Sequence, residues 1–267
     1  MVRQPAVAGQ FYTGDADELR AELNVFVPST GGGEKVLGII APHAGYVYSG
    51  AVAGEVYGAV SVPRDVIILG PNHHGIGARA ALYPEGEWIT PLGAVSINTR
   101  LAGLVRKHAP LVEEDAVAHL HEHSLEVQVP FLQHVRPDVA IVPLCLGFGD
   151  YASCVTLGNG IADAIREFDA EVLIVASSDM THYESATSAR AKDDEALREI
   201  LALDPEGLLR VCRNKGITMC GVIPSTVMLV AALKLGASRA RLVKYATSGD
   251  VTGDMRQVVA YAALTVS

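Results

Sequence analysis

The sequence lacks the features that mark membrane, secreted and nucleic-acid-binding proteins. No segment approaches the roughly 18 uninterrupted apolar residues of a spanning helix, and the first residues lack the apolar core of a secretion signal. The four cysteines are scattered without a C-x-x-C pair, which argues against a disulfide framework and a structural zinc finger. Lys and Arg form no long run, and the net charge is −9. We therefore expect a cytoplasmic protein with reduced thiols that binds neither nucleic acid nor a membrane.

What the sequence does contain is an alternation of apolar strands and helical segments. Hydrophobic residues make up 49% of the 267 residues, enough for a large core, and we expect a single domain over 1–267. The alternation predicts an α/β fold with a mainly parallel central sheet sandwiched by helices, and residues 79–98 are predicted to form an inserted β-hairpin. The only linker-like stretch is "STGGG" at 29–33. The predicted strands are 36–42, 64–71, 139–147, 171–179, 240–249 and 256–266, and the predicted helices are 16–27, 49–60, 98–109, 151–168, 188–203 and 221–236.

Polar side chains follow several predicted strands at the point where each strand ends. In open α/β sheets, ligands bind in the crevice beyond the carboxyl ends of the strands. Residues that are distant in sequence can therefore converge there. The candidates are His43 after the first strand, His73 and His74 in "LGPNHHG", Asp179 and His182 in "SSDMTHY", and Cys220 in "TMCG".

Each candidate also has a purely structural interpretation. A histidine after a strand often binds a backbone carbonyl, a single cysteine is often a small buried apolar residue, and Asp179 could cap the next helix. His74 is expected to point away from His73, because adjacent side chains on extended backbone face opposite directions. In "AHLHEHSLEVQVP" three histidines alternate, and we expect a solvated loop with one functional histidine rather than a metal-binding triplet.

Seven motifs, in this order, resemble those of the Memo family. They are "PAVAGQFY", "APHAGYVYSG", "LGPNHHG", "TPLG" after Trp88, "EHSLEVQVPFLQ", "SSDMTHY" and "TMCG". The match runs from about Pro5 to the C-terminal "YAALTV" and so covers nearly the whole chain. The sequence is identified as similar to that family, in the form called AmmeMemoRadiSam system protein B. The family is itself similar in fold to the class III, LigB-type extradiol dioxygenases.

The resemblance implies one mononuclear metal site. Those dioxygenases hold a non-haem Fe(II) with two histidines and a glutamate, and His43 and His73 match the two histidines. Cys220 stands where the dioxygenases place the glutamate. His123 and His182 match the histidines that those enzymes use as acid and base. Members of the family often accompany a radical-SAM protein, which implies a functional link to such a partner.

A thiolate in place of the carboxylate changes the expected metal preference. The resemblance points to Fe(II), but a ligand set of two imidazoles and a thiolate is softer and favours Cu or Zn in simple competition. Fe(II) is therefore the first expectation for the cofactor, with Cu and Zn as alternatives.

Three functional classes remain open. The first is a metal-dependent oxidoreductase related to extradiol dioxygenases, in which His182 and His123 move protons on a phenolic or other small substrate. The second is a zinc-dependent hydrolase with Asp179 or His182 as base. The third is a non-enzymatic protein that binds a ligand or peptide in the same crevice.

Overall fold

The computed structural model describes residues 1–28 and 33–267. The predicted linker at 29–33 therefore lies, apart from Gly33, outside the described residues. The helices are α1 (Ala16–Phe26), α2 (Tyr46–Ala59), α3 (Thr99–His108), α4 (Val129–Val135), α5 (Tyr151–Phe168), α6 (Ala186–Leu201), α7 (Pro205–Lys215), α8 (Val222–Leu235) and α9 (Gly249–Thr252). The strands are β1 (Val2–Arg3), β2 (Gly38–Ala41), β3 (Asp65–Pro71), β4 (Ala80–Leu82), β5 (Glu87–Thr90), β6 (Gly93–Ile97), β7 (Glu113–Glu114), β8 (Ala140–Leu146), β9 (Val172–Ser177), β10 (His182–Glu184), β11 (Ala240–Thr247) and β12 (Val258–Val266).

One mixed sheet joins the twelve strands of the described residues. Its order is β1-β5-β6-β8-β3-β9-β2-β12-β10, with β11 paired to β12 and β4 paired to β7 and β8. The five central strands from β6 to β2 are parallel to one another, whereas β10, β11 and β12 pair in antiparallel fashion. The prediction of an α/β fold with a mainly parallel sheet is confirmed. The inserted hairpin is β5–β6, and β4 pairs separately with β8.

Both faces of the sheet are covered because its central strands are apolar on both sides. In β3, Ile67 and Leu69 pack into a core with residues of α3 and α5–α8, while Val66 and Ile68 pack into a second core with α1, α2 and α4. Successive side chains of a strand point to opposite faces, so a continuous apolar run contributes side chains to both cores. Within the described ranges, no helix combines the length and apolar character needed to cross a bilayer.

The topology brings three strand ends together at one edge of the sheet. Strands β3, β9 and β2 are consecutive and parallel, so their carboxyl ends lie side by side. His73 follows β3, Asp179 follows β9 and His43 follows β2. The crevice expected beyond these strand ends is therefore formed by neighbouring strands.

Candidate metal centre

Three histidines meet at this edge of the sheet. His43 and His73 follow their strands, and His123 lies in the segment before α4. A ring nitrogen of each histidine lies within 4.8 Å of those of the other two. The ring centroids are separated by 5.2 Å for His43–His73, 5.4 Å for His43–His123 and 4.6 Å for His73–His123. The group could hold one metal ion.

Hydrogen bonding fixes which nitrogen of His43 is available to a ligand. The Ser177 hydroxyl donates its only hydrogen to the Ser124 carbonyl at 2.6 Å and accepts a bond from Gln128 Nε2 at 2.8 Å. The 2.9 Å contact between His43 Nδ1 and Ser177 Oγ must therefore have the imidazole N–H as donor. Nε2 then carries the lone pair of His43.

His73 is oriented in the same way by a buried carboxylate. Glu122 accepts the His73 backbone N–H at Oε2 over 2.7 Å and contacts His73 Nδ1 through Oε1 over 2.8 Å. Burial opposes ionisation of Glu122, but bonds from His73 and Ser124 outweigh it and lower its pKa to about 2. An ionised carboxylate only accepts, so Nδ1 carries the hydrogen and Nε2 is left for a ligand. Carboxylates commonly orient metal-binding histidines in this manner.

Burial favours the neutral imidazole at His43 and at His123, as metal binding requires. Burial, followed by the neighbouring His123 and His73, holds the pKa of His43 well below its ordinary value. Burial also lowers the pKa of His123 to about 4, although the Glu122 charge opposes this. The His123 ring stacks on His73 at an interplanar angle of 17° and packs against Phe11 at 4.7 Å between centroids.

Cys220 lies directly beside His43. Its Sγ is 3.1 Å from His43 Nε2 and accepts the Asp179 backbone N–H at 3.3 Å. The backbone next to Cys220 packs closely against the end of β9, and only glycine fits there. A Cβ atom at Gly221 would fall 2.3 Å from the Ser177 carbonyl oxygen. Burial and the Asp179 charge raise the pKa of the Cys220 thiol, so the metal-free thiol donates to the lone pair of His43. The three-histidine group does not itself include Cys220.

A cavity of about 630 Å³ opens over the cluster, and Asp179 and His182 also line it. Asp179 accepts the His43 backbone N–H at 2.8 Å, and its burial raises the carboxyl pKa to about 6. His182 is held by Thr218, whose carbonyl oxygen lies 3.0 Å from His182 Nδ1. Because a carbonyl only accepts, His182 Nδ1 carries the hydrogen and Nε2 has a free lone pair.

The segment that carries Glu122 is fastened to the N-terminal strand by a buried guanidinium. Arg3 donates to the carbonyls of His119 and Glu122 at 2.6 and 2.9 Å and forms a 2.7 Å ion pair with Glu126. His119 is fully buried and contacts the Trp88 ring, so the expected solvated loop is not observed at His119, whereas His121 is exposed. Arg3 supplies the donors that let the segment pack inside the protein.

The predicted residues thus separate into two groups. His43, His73, His123, Asp179 and His182 line one cavity, and Cys220 contacts His43. His74 is exposed and places its Nε2 3.0 Å from the carbonyl oxygen of His121, which is also exposed.

Sequence reasoning missed the residues that orient the cluster, Glu122 and Ser177. The sequence signal for Glu122 was a carboxylate between two histidines in "HEH", next to the histidine expected to be functional. The signal for Ser177 was a serine at the end of an apolar strand, in "ASSD".

The donor set fits a single metal ion. His43 and His73 each have an Nε2 lone pair turned away from a hydrogen-bonded Nδ1, and His123 or Cys220 offers a third donor within reach. Two imidazoles with a third imidazole or a thiolate are suitable ligands for Zn, Cu or Fe. The arrangement does not itself select among these metals.

Comparisons with known proteins give relatives of the whole chain. A family profile described as Memo-like protein matches residues 3–265. A MEMO1 family protein from Methanopyrus kandleri is 41% identical over 99% of this chain and 98% of its own. Another from Methanosarcina mazei is 44% identical over 99% of both chains. Among solved structures, an uncharacterized protein from Escherichia coli K12 has a TM-score of 0.54 at 13% identity, over 86% of this chain and 100% of that one, a likeness of fold alone.

Proposed function

This chain belongs to the Memo family, and from that premise we propose that it is a mononuclear non-haem metal protein with oxidoreductase activity on a small molecule. The observation that carries the proposal is the group of three histidines whose ring nitrogens lie within 4.8 Å of one another. Two of these histidines have their tautomers fixed by hydrogen bonds, which is a property of ligands held ready for an ion.

We assign His43, His73 and Cys220 as the metal ligands and Fe(II) as the metal. The separation of 3.1 Å between Cys220 Sγ and His43 Nε2 is compatible with both atoms binding the same ion. Cys220 would hold the metal as a thiolate, because a thiol loses its proton when it binds a metal, and the thiolate would supply the anionic charge of the site. His123 is the alternative third ligand. When bound, Fe(II) supplies a redox-active Lewis acid with open coordination positions.

The remaining groups of the cavity move protons on the substrate. His182 Nε2 accepts a proton, because Thr218 holds the hydrogen on Nδ1. Asp179 exchanges a proton near neutral pH, since burial raises its pKa to about 6. If Cys220 rather than His123 completes the ligand set, His123 is free to act as a second proton-transfer group, and its low pKa makes it a base that starts neutral.

A second candidate function is that of a zinc-dependent hydrolase. The observation in its favour is that the three histidines alone are a suitable ligand set for catalytic zinc, with a water molecule in the fourth position. Asp179 or His182 would then take the proton of that water. The two candidate functions require different metals and only the first consumes O₂.

Elemental analysis of anaerobically purified protein, followed by O₂ uptake with a panel of catechols, tests the proposal. We expect about one equivalent of Fe per chain and O₂ consumption that depends on it. His73→Ala should abolish metal binding, while the matched variant His74→Ala should retain affinity within about tenfold, because His74 lies outside the cluster. Bound zinc without O₂ uptake would favour the hydrolase, and no bound metal would leave only a binding function.

A further inference from the structure

Tyr183 occupies a backbone conformation that tyrosine rarely adopts. Its φ is +58°, in the left-handed region where a Cβ atom meets steric hindrance and glycine does not. It is the extra residue of a bulge, because His182 and Glu184 pair with the adjacent Val259 and Val258 of β12. Both neighbours are fixed, His182 by Thr218 and Glu184 by Lys192. The backbone at Tyr183 is therefore imposed by its surroundings.

The side chain of Tyr183 gains little from the fold in return. It is 74% exposed, so most of its ring remains in contact with water. A bulky residue with positive φ is a genuine outlier, and outliers of this kind concentrate where a ligand is bound. The interactions that would favour tyrosine over glycine at this position are therefore to be sought outside the chain.

The position of Tyr183 indicates what it contacts. The residue lines the same cavity as the histidine cluster, and its ring lies 5.8 Å from that of His182. A ligand bound against His182 in this cavity would therefore lie beside Tyr183. None of the described residues that line the cavity is a lysine or an arginine, so no side-chain cation there would select an anionic ligand.

We propose that Tyr183 is a ligand-binding residue at the mouth of the cavity, where its ring stacks on a planar, uncharged aromatic group of the bound molecule. The inference rests on the proposed function in taking this cavity as the ligand site, but it does not depend on a particular metal. Offset stacking of aromatic rings provides both affinity and a preference for planar over saturated ligands.

Phenol and indole, with cyclohexanol as the saturated counterpart, are suitable probes, and their dissociation constants for the full chain can be measured by ligand-observed NMR. We expect the wild type to bind phenol more tightly than cyclohexanol. Tyr183→Gly should weaken binding of phenol and indole about fivefold to tenfold. Tyr183→Phe, which keeps the ring, should remain within about twofold of the wild type.

Thermal unfolding separates this role from a structural one. Tyr183→Gly removes an unfavourable backbone conformation, so its Tm should be equal to that of the wild type or higher by about 2–4 °C. Asp169→Gly is the matched control, because Asp169 also has a positive φ (+57°) but lies at the end of α5. This control should show a similar or smaller rise in Tm with wild-type affinity for phenol.

Three results would overturn the inference. They are unchanged phenol binding by Tyr183→Gly, a clear fall in its Tm, and a wild type that does not prefer phenol to cyclohexanol. Repeating the titrations with and without added Zn²⁺ distinguishes this inference from the proposed function. Loss of phenol affinity in Tyr183→Gly of a chain that binds no metal would support the inference and refute the metal proposal.

Discussion

Replacing Glu122 by glutamine should reveal how strongly this carboxylate holds the metal centre. Its two oxygens accept three hydrogen bonds, from the backbone N–H and Nδ1–H of His73 and from the backbone N–H of Ser124. A glutamine offers one oxygen and an NH₂ group, so at least one of these donors would face another donor. The change is nearly isosteric and yet incompatible with the hydrogen-bond pattern.

The size of the effect follows from the environment of Glu122. A pKa of about 2 against an ordinary value of 4.5 corresponds to about 3 kcal/mol of stabilisation by the ionised form, and the carboxylate is fully buried. We expect Glu122→Gln to lower the free energy of unfolding by about 2–4 kcal/mol. We also expect a loss of metal affinity of about 10–100-fold, because His73 is no longer held in one tautomer.

Urea unfolding and competition with a chromophoric chelator measure the two effects separately. The matched control is Asp193→Asn, since Asp193 is also a buried carboxylate with three hydrogen bonds, but its donors belong to Thr181 and Tyr245. This control should lose stability with metal affinity unchanged. Equal metal affinity in Glu122→Gln and the wild type, or an equal loss of affinity in the control, would refute the reasoning.

Three further predictions follow from the charges around the cluster. Calorimetry at pH 8 in two buffers of different ionisation enthalpy should detect about one proton released per metal bound if the Cys220 thiol becomes a ligand, and none if His123 takes its place. The depressed pKa of Glu122 stabilises the fold fully above pH 4.5, and this contribution should disappear as the pH falls towards about 2, a slope that unfolding curves of Glu122→Gln should lack. Cys220→Glu should raise retention of Fe(II) relative to Zn, and adding His182→Gln should reduce any O₂ turnover about 10²–10⁴-fold with the iron still bound; a simultaneous loss of iron would contradict a proton-transfer role.

The fold was largely predictable because its central strands and most helices carry strong, long signals. Each predicted strand of the central sheet contains an observed strand, and each predicted helix overlaps an observed one. Helix α7 was missed although its boundaries are marked in the sequence, with Asp204 as N-cap, Pro205 in the first turn and Gly216 at the end. The two-residue strands β1 and β7 give no periodic signal, because a sequence pattern of that length carries too little information.

From the residues alone, the candidate site was predictable only where chemistry and strand ends coincide, and His123 entered the prediction through the family resemblance, as a proton-transfer residue. His43 and His73 follow strands, and the rule for open α/β sheets places such residues in the crevice. The inclusion of His123 in the cluster depends on the path of the segment between α3 and α4, where the buried Arg3 of β1 binds the carbonyls of His119 and Glu122. Burial of an arginine against backbone carbonyls cannot be read from local sequence, since it depends on contacts across more than a hundred residues.

The position of β2 within the sheet has a consequence for biosynthesis. His43 follows β2. The two strands hydrogen-bonded to β2 are β9 and β12, and β12 is the last strand in chain order. Residues 258–266 therefore have to be synthesised before β2 is paired on both sides. The contact between Cys220 and His43 likewise spans 177 residues. Partly synthesised chains that lack Cys220 would thus carry His43 and His73 without the thiol, and a metal site made of these three residues can be completed only after Cys220 has been synthesised.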